Sequence, residues 1–488
     1  MKARKRAVLA LPHDPATRAH GRERALSRSP EHLHARRLAW LLRRAGLAEP
    51  ARAPRWALVA GSCGKASTAR FLAFIARGLL DRAGVSAPVA LGTKPPLSET
   101  PDGQRERYQL FERGASAPSW IIPEDFASYV SALVPVVEAL EREAPELGPV
   151  APYDLRYAVL LSHALDQCAA FAVVEANIGL RDDPTSALPP PRAQLLTPID
   201  TDHAQLLLAP SPLPAALSGL GDRAGPVWHK AGGLRARVAT VVGLQDEPVA
   251  LAVDALAAAC GVGTMARRGV DYEVLRRRSA LDGSDATLRV GDETLDVRIR
   301  AVGGFQVDNA AQAAAAAWAL VRDGAMPGDR AAWREAVRAG LGAATMPGRM
   351  EVIAERPLTL LQVGASPVKM RAFVEALDEL LPAASSGRVV VCASFLARIH
   401  DAREPVAILA RSGRVSALVA TACETVGDAA DLDPDEVIGI ARQVRPELEC
   451  WAVRGAEAAV AKARSLACAG GDVLVLVGNG LGARTPPT

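Results

Sequence analysis

One short glycine-bounded loop constrains this chain more than any other feature. Gly61-Ser62-Cys63-Gly64-Lys65-Ala66-Ser67-Thr68 follows an apolar run, Trp56–Ala60, and opens a helical stretch, Ala66–Leu80. Strand, tight loop and helix in that order form the first unit of an α/β fold. At a helix start, unpaired backbone N–H groups and the helix dipole together favour a phosphate. Lys65 adds a point charge for the β and γ oxygens, and Ser67 or Thr68 a hydroxyl near a magnesium ion. Only two residues separate the glycines, so this is not the eight-residue Walker pattern. The plainer reading is a glycine-rich turn with an incidental lysine.

The periodicities beyond the loop extend the same architecture. Residues 31–47 place Leu33, Leu38, Leu41 and Leu42 at helical spacing and stop at Gly46. Helices are expected at Pro123–Glu143 and Tyr153–Cys168. Phe171–Glu175 reads as a buried strand ending in an acid, and Ala193–Ile199 as another, followed by Asp202 and His203. From Tyr272 to Arg300 the period changes to two, with DG and GD turns, which predicts β-hairpins. Gly303-Gly304 leads into an alanine-rich helix, Asn309–Arg322. A second α/β series follows, with strands at Leu358–Val363, Arg388–Ala393, Val415–Thr421 and Val473–Val477 and helices at Lys369–Leu381 and Glu457–Cys468. The expectation is a basic extension over 1–30, a nucleotide-binding α/β unit with a mostly parallel sheet over 31–299, and a smaller Rossmann-like α/β unit over 300–488.

Composition excludes some partners. At 4% aromatic residues, the chain has few rings on which to stack bases or sugars. Its net charge of +3 sets up no global field for a polyanion. The basic excess is local. Residues 1–55 carry fourteen Lys/Arg against four acids, a net of +10 that leaves −7 for the other 433 residues. Such an arm can dock on nucleic acid, but a solvated leader is the commoner case, and no nucleic-acid partner is expected. Seven cysteines are scattered without a CxxC pair, which fits neither a disulfide framework nor a zinc site and suggests a reducing compartment. No apolar run is long enough to cross a membrane, so a cytoplasmic protein is expected.

The loop, read with landmarks that follow it in order, resembles the Mur ligase superfamily, and most of all its folylpolyglutamate/dihydrofolate synthase branch, whose loop reads GTNGKGS. Val173–Thr185 is similar to that branch's EVGLGGRLDAT segment, and Thr197–His203 to its T-x-I-x-x-DH strand end. Lys230-Ala231-Gly232 resembles EKAG, Phe305 to Ala310 the HQxxNA helix start, and Met346–Glu351 the WPGRLE segment. The resemblance implies an ATP- and Mg²⁺-dependent ligase, a monomer as is usual in the family, that joins a small-molecule carboxylic acid to an amino acid through an acyl phosphate. It implies that Gly61 to Thr68, Gln306, Asn309 and Arg349 bind ATP, and that Ser67, Glu175 and His203 hold the metal. Lys65, Lys230 and Arg349 would serve catalysis, Lys230 matching a lysine that the family carbamylates. Read from residues alone, Glu175 is equally a strand-end acid, His203 a core histidine, Lys230 a surface lysine, Arg349 a salt-bridged surface arginine, and Gln306 and Asn309 helix caps.

Four departures stand out. Ser62 and Cys63 replace Thr and Asn, and Ala66 replaces a glycine; Lys94 stands where the family's TSPH serine supplies a metal ligand. Phe305 replaces the histidine of HQ. Val363-Gly364-Ala365-Ser366-Pro367 replaces DGAHNP, the segment that contacts the nucleotide from the second unit. Two functions therefore stay open: an active ligase of altered substrate, or a catalytically impaired relative that binds nucleotide or a protein partner.

Overall fold

The computed structural model describes residues 33–48, 54–93, 104–201, 203–204, 206–381, 387–395, 403–422, 431–478 and 481. The basic extension over 1–30, Lys94 and Asp202 lie outside these residues.

The chain enters through α1 (Leu33–Arg44), which buries Leu38, Leu41 and Leu42. The strand β1 (Arg55–Ala60) is buried beyond its first residue and passes through the loop into α2 (Lys65–Arg82). Then come β2 (Val89–Gly92), β3 (Tyr108–Phe111), β4 (Ser119–Trp120), α3 (Pro123–Glu143) and α4 (Pro152–Asp166). β5 (Phe171–Glu175), β6 (Ala193–Leu196), α5 (Ala224–Ala231), β7 (Ala239–Val242), α6 (Glu247–Ala259) and β8 (Met265–Arg267) complete the first sheet. Its order is β4-β3-β2-β5-β1-β6-β7-β8, parallel from β2 to β8 and antiparallel at β3 and β4. Near-continuous apolar runs such as Phe171–Val174 suit strands covered by helices on both faces. Because β1 lies between β5 and β6, everything leaving the C-terminal ends of these three strands converges on one crevice.

The period-two segment forms the expected antiparallel meander: β9 (Tyr272–Ala280), β10 (Gly283–Val290) and β11 (Glu293–Ile299). The helix after it begins at Gly304, five residues earlier than expected: α7 (Gly304–Arg322), followed by α8 (Arg330–Ala343). The reason is physical. Gly303 at φ 99 turns the chain, so Gln306 and Asn309 lie inside the helix and are not its caps.

Both helices bury their faces in the core of the first sheet, with Ala310, Ala313, Ala314, Trp333 and Leu341 in one cluster with Phe71, Ile75 and Val173. Small residues permit the close approach: a Cβ on Gly340 would lie 2.9 Å from the backbone nitrogen of Ile75. The expected division at residue 300 therefore falls ahead of a helix pair that packs with the first sheet.

The remaining elements are β12 (Arg349–Glu355), β13 (Leu358–Gln362), α9 (Pro367–Leu380), β14 (Val389–Ala393), α10 (Arg403–Arg411), β15 (Val415–Ala420), α11 (Pro434–Val444), β16 (Glu449–Ala452), α12 (Ala456–Leu466) and β17 (Val473–Val477). They form a second sheet, β12-β13-β17-β14-β15-β16, parallel apart from the β12–β13 pair. The second sheet has its own core around Leu360, Phe373, Val391, Leu418 and Val475. Ion pairs cross between the units. Arg371 of α9 reaches Asp200 at 2.6 Å, and Arg277 of β9 reaches Glu379 at 3.5 Å.

Candidate active site

The loop between β1 and α2 is held from both sides by backbone that only glycine permits. Gly61 sits at φ 136 and Gly64 at φ 81. A Cβ on Gly61 would fall 2.0 Å from Thr197 Oγ1, and one on Gly64 would fall 2.3 Å from Asn309 Oδ1. No side chain caps α2, which leaves the N–H groups of its first turn to an outside acceptor.

Two amides of the loop are already engaged by backbone. Ser62 N–H donates to the Pro198 carbonyl at 2.9 Å and Cys63 N–H to the same oxygen at 3.4 Å. Ser62 Oγ also exchanges hydrogen bonds with the backbone of Asp200. These two residues anchor the loop to the end of β6, and the donors left for an anion start at Gly64. Lys65 folds over the loop, its ammonium donating to Gly61 O at 2.8 Å and Ser62 O at 3.2 Å. Ala66 follows it, Ser67 is buried in the same turn, and Thr68 Oγ1 donates to Asn309 Oδ1 at 3.4 Å. Asn309 Nδ2 donates in turn to Gln306 Oε1 at 3.1 Å. The other end of that amide, Gln306 Nε2, is buried without a partner among the described residues. A donor in that state fits a ligand acceptor better than it fits an apolar core.

Glu175 ends β5 opposite Val59 and is only 6% exposed. Its carbonyl accepts from Tyr157 Oη at 2.9 Å, and burial raises that phenol well above its ordinary pKa, so it stays a donor. His203 lies beyond β6 in the left-handed region at φ 62, with its carbonyl accepting from Leu206 and Leu207. Glu175 and His203 thus leave the two strands that flank β1.

Lys230, in α5, is 1% exposed, which excludes the surface-lysine reading. The end of α5 is clamped to the segment after β5: Leu180 and Arg181 N–H both donate to His229 O. Asp183 organises that segment by accepting from Ile178 N–H and from Thr185.

Arg349 arrives from the second sheet. A bulge separates Arg349 from Glu351 in the β12–β13 register, and Met350 between them is held at φ 54 with its N–H on Gln362 Oε1. Desolvation lowers the Arg349 pKa, while the carboxylates of Glu175, Glu106 and Glu351 act to raise it. The half-buried Arg349 side chain folds onto its own linker, Nη1 donating to Gly348 O at 3.1 Å and Pro347 O at 3.5 Å. In the segment Val363–Pro367, Ser366 Oγ is buried without a partner among the described residues, and no side chain in it is ionisable.

No group of three or more His, Cys, Asp or Glu side chains able to cage a metal occurs among the described residues. Glu175 and the hydroxyl of Ser67 are hard oxygen donors of the kind magnesium takes when nucleotide phosphates complete its shell. No helix among the described residues is long and apolar enough to cross a membrane.

Thr197 enters the sequence reading only as the first residue of the T-x-I-x-x-DH segment, not as the residue whose Oγ1 packs on Gly61. Arg70, described below, was missed, because Thr345 and Gln109 are distant from it in sequence.

Fold and loop together define an α/β unit with a glycine-bounded loop at the uncapped start of a helix, followed by a second α/β unit whose first strand begins at Arg349. No protein-family model matches the chain. It is 28% identical over 326 residues to a dihydrofolate synthase/folylpolyglutamate synthase of Mycobacterium tuberculosis. That match takes in 65% of this chain and 61% of the relative's length. It is also 28% identical over 330 residues to a probable bifunctional folylpolyglutamate synthase/dihydropteroate synthase of Halobacterium salinarum, across 67% of this chain and 35% of that protein. The chain thus spans less than two thirds of the length of either relative. The solved folylpolyglutamate synthase of Mycobacterium tuberculosis complexed with ADP superimposes with a TM-score of 0.75 at 22% identity, over 97% of this chain and all of that one. Its relatives and structural neighbours are folylpolyglutamate and dihydrofolate synthases, of the Mur ligase superfamily, and their two-unit fold is the fold of this chain.

Proposed function

We propose that the chain is an ATP-dependent ligase, similar to folylpolyglutamate synthase, that joins a small-molecule carboxylic acid to an amino acid. The observation that carries this reading is the uncapped start of α2, held between Thr197 and Asn309, at the end of a strand paired with the one that ends in the buried Glu175. The nucleotide-binding unit in this reading runs through α8, to about residue 346, since α7 and α8 complete its core.

Phosphoryl transfer asks a protein for alignment and charge neutralisation more than for covalent chemistry. N–H groups from Gly64 onward receive the β and γ phosphates, and Lys65 leaves its loop carbonyls to follow them. Gln306 Nε2 offers an unpaired donor beside Asn309. Glu175, Ser67 and His203 would hold magnesium, which when bound would supply charge neutralisation at the phosphates. The acid's carboxylate oxygen attacks the γ phosphorus and ADP departs, giving an acyl phosphate. The amine of the amino acid then attacks the acyl carbon, phosphate leaves with the carboxylate's oxygen, and one proton is released. Arg349 balances the charge from the second unit, and closure of the two units keeps water from the acyl phosphate.

The test uses a folate or pteroate acid labelled with ¹⁸O in its carboxylate, with L-glutamate and MgATP. Amide product, ADP and ¹⁸O-labelled phosphate are the expected outcome. A second reading, a relative that binds nucleotide without ligating, is favoured by the absence of any ionisable side chain in Val363–Pro367. It predicts MgADP binding with no amide for any acid and amino-acid pair.

A further inference from the structure

Arg70 lies on α2 one turn beyond the loop, half-buried, and its hydrogen bonds turn away from the loop. Its Nε donates to the Thr345 carbonyl at 2.6 Å and its Nη2 to Thr345 Oγ1 at 3.4 Å. Its Nη1 donates to Gln109 Oε1 of β3. The guanidinium also lies 5.7 Å from the centroid of Phe74 and 5.9 Å from that of Phe111, whose rings pack edge to face. Three donors, two acceptor residues and two rings fix a planar cation in one orientation, a task that a lysine's point charge cannot perform.

Thr345 belongs to the short linker between α8, which ends at Ala343, and β12, which begins at Arg349. That linker is itself ordered by Arg349 N–H on Met346 O, Gly348 N–H on Glu351 Oε2 and Val363 N–H on Gly348 O. The charges of Glu106 and Glu351 oppose the effect of burial on the pKa of both Arg70 and Arg349. Burial brings the Arg70 pKa down to about 10, a cost that its fixed partners offset.

We propose that Arg70 is a positioning residue that clamps the linker between the two units to the phosphate-binding helix and thereby sets Arg349 against the site. The inference rests on the ligase reading for its purpose but not for its geometry. A phosphate that tightens the first turn of α2 bears on Arg70 one turn later, and through Thr345 on the segment that carries Arg349.

The experiment is hydrogen–deuterium exchange over residues 344–350 with and without MgADP, alongside calorimetric MgADP binding. In the wild type, MgADP slows exchange of this segment at least fivefold. Arg70→Lys keeps the charge, binds MgADP within threefold of the wild type, and loses that slowing. Retained slowing in Arg70→Lys overturns the proposal, because a merely stabilising arginine would leave the nucleotide response intact. If Arg70→Lys does not fold, Gln109→Leu removes one anchor only. It loses half or more of the slowing, and full slowing in that variant overturns the proposal. If the wild type does not bind MgADP, the ligase reading fails and the clamp is judged without nucleotide: exchange about tenfold faster in Arg70→Lys sustains it, and unchanged exchange overturns it.

Discussion

Asn309 closes over Gly64: its Oδ1 occupies the space that any Cβ at residue 64 would enter, 2.3 Å away. One residue of α7 thereby dictates the identity of a loop residue 245 positions earlier, and the loop keeps the left-handed turn that starts α2.

Gly64→Ala is expected to weaken MgADP binding at least tenfold and to lower Tm. An L-residue at φ 81 costs about 1–2 kcal/mol by itself, and the contact with Asn309 adds to that. Gly64→Ala/Asn309→Gly recovers only the part due to the contact. Calorimetry that gives wild-type affinity for Gly64→Ala would show that the loop does not bind phosphate in this geometry.

The ion pair between Arg37 and Asp154 has both side chains fully buried. Asp154 also accepts from Ala151 N–H at 2.9 Å at the start of α4, and Arg37 donates to Leu147 O at 3.1 Å. Arg37→Leu leaves a carboxylate buried without its counter-charge, so a loss of about 3–5 kcal/mol in urea unfolding is expected. A loss under 1 kcal/mol would mean that water reaches Asp154.

His163 of α4 is buried, and neither ring nitrogen has a hydrogen-bond partner among the described residues. Burial lowers its pKa from 6.5, with Asp125 and Asp166 opposing the shift. The unfolded chain therefore takes up the proton first as pH falls below about 6.5, and stability falls with it until the lowered folded pKa is passed. The slope from this one group is at most about 1.4 kcal/mol per pH unit. His163→Leu should flatten the stability profile as pH falls below about 6.5; an unchanged profile would place the titration elsewhere.

Glu175→Gln keeps the shape of the strand end and removes its charge. The magnesium concentration for half-maximal nucleotide binding should rise at least tenfold while Tm stays within about 3 °C, a shift of the size that under 1 kcal/mol produces. Magnesium dependence like the wild type's would remove Glu175 from the metal site.

Much of the fold was legible because its strands are continuous apolar runs bounded by glycine or by an acid. Trp56–Ala60, Phe171–Glu175 and Val473–Val477 needed no partner to be recognised. The four-residue strands β2, β3 and β16 are too short to stand out from the chain around them, and all three went unread. Periodicity also cannot say which sheet a helix covers: chain order puts α7 and α8 with the second unit, while their apolar faces pack into the core of the first sheet. At the site, residue types reported chemistry but not engagement. Lys65 and Glu175 were conspicuous, while the capture of the Ser62 and Cys63 amides by Pro198 depends on backbone more than 130 residues away. Arg70 reads as an ordinary helix arginine until Thr345 is placed beside it.

The central claim is that the Gly61–Thr68 loop is a working nucleotide site, and calorimetry of MgATP binding to wild type and Lys65→Ala tests it most directly. The account predicts micromolar binding that requires Mg²⁺ and is lost in Lys65→Ala, with the variant's Tm unchanged. Equal binding by the two proteins, or none by a folded wild type, would contradict it.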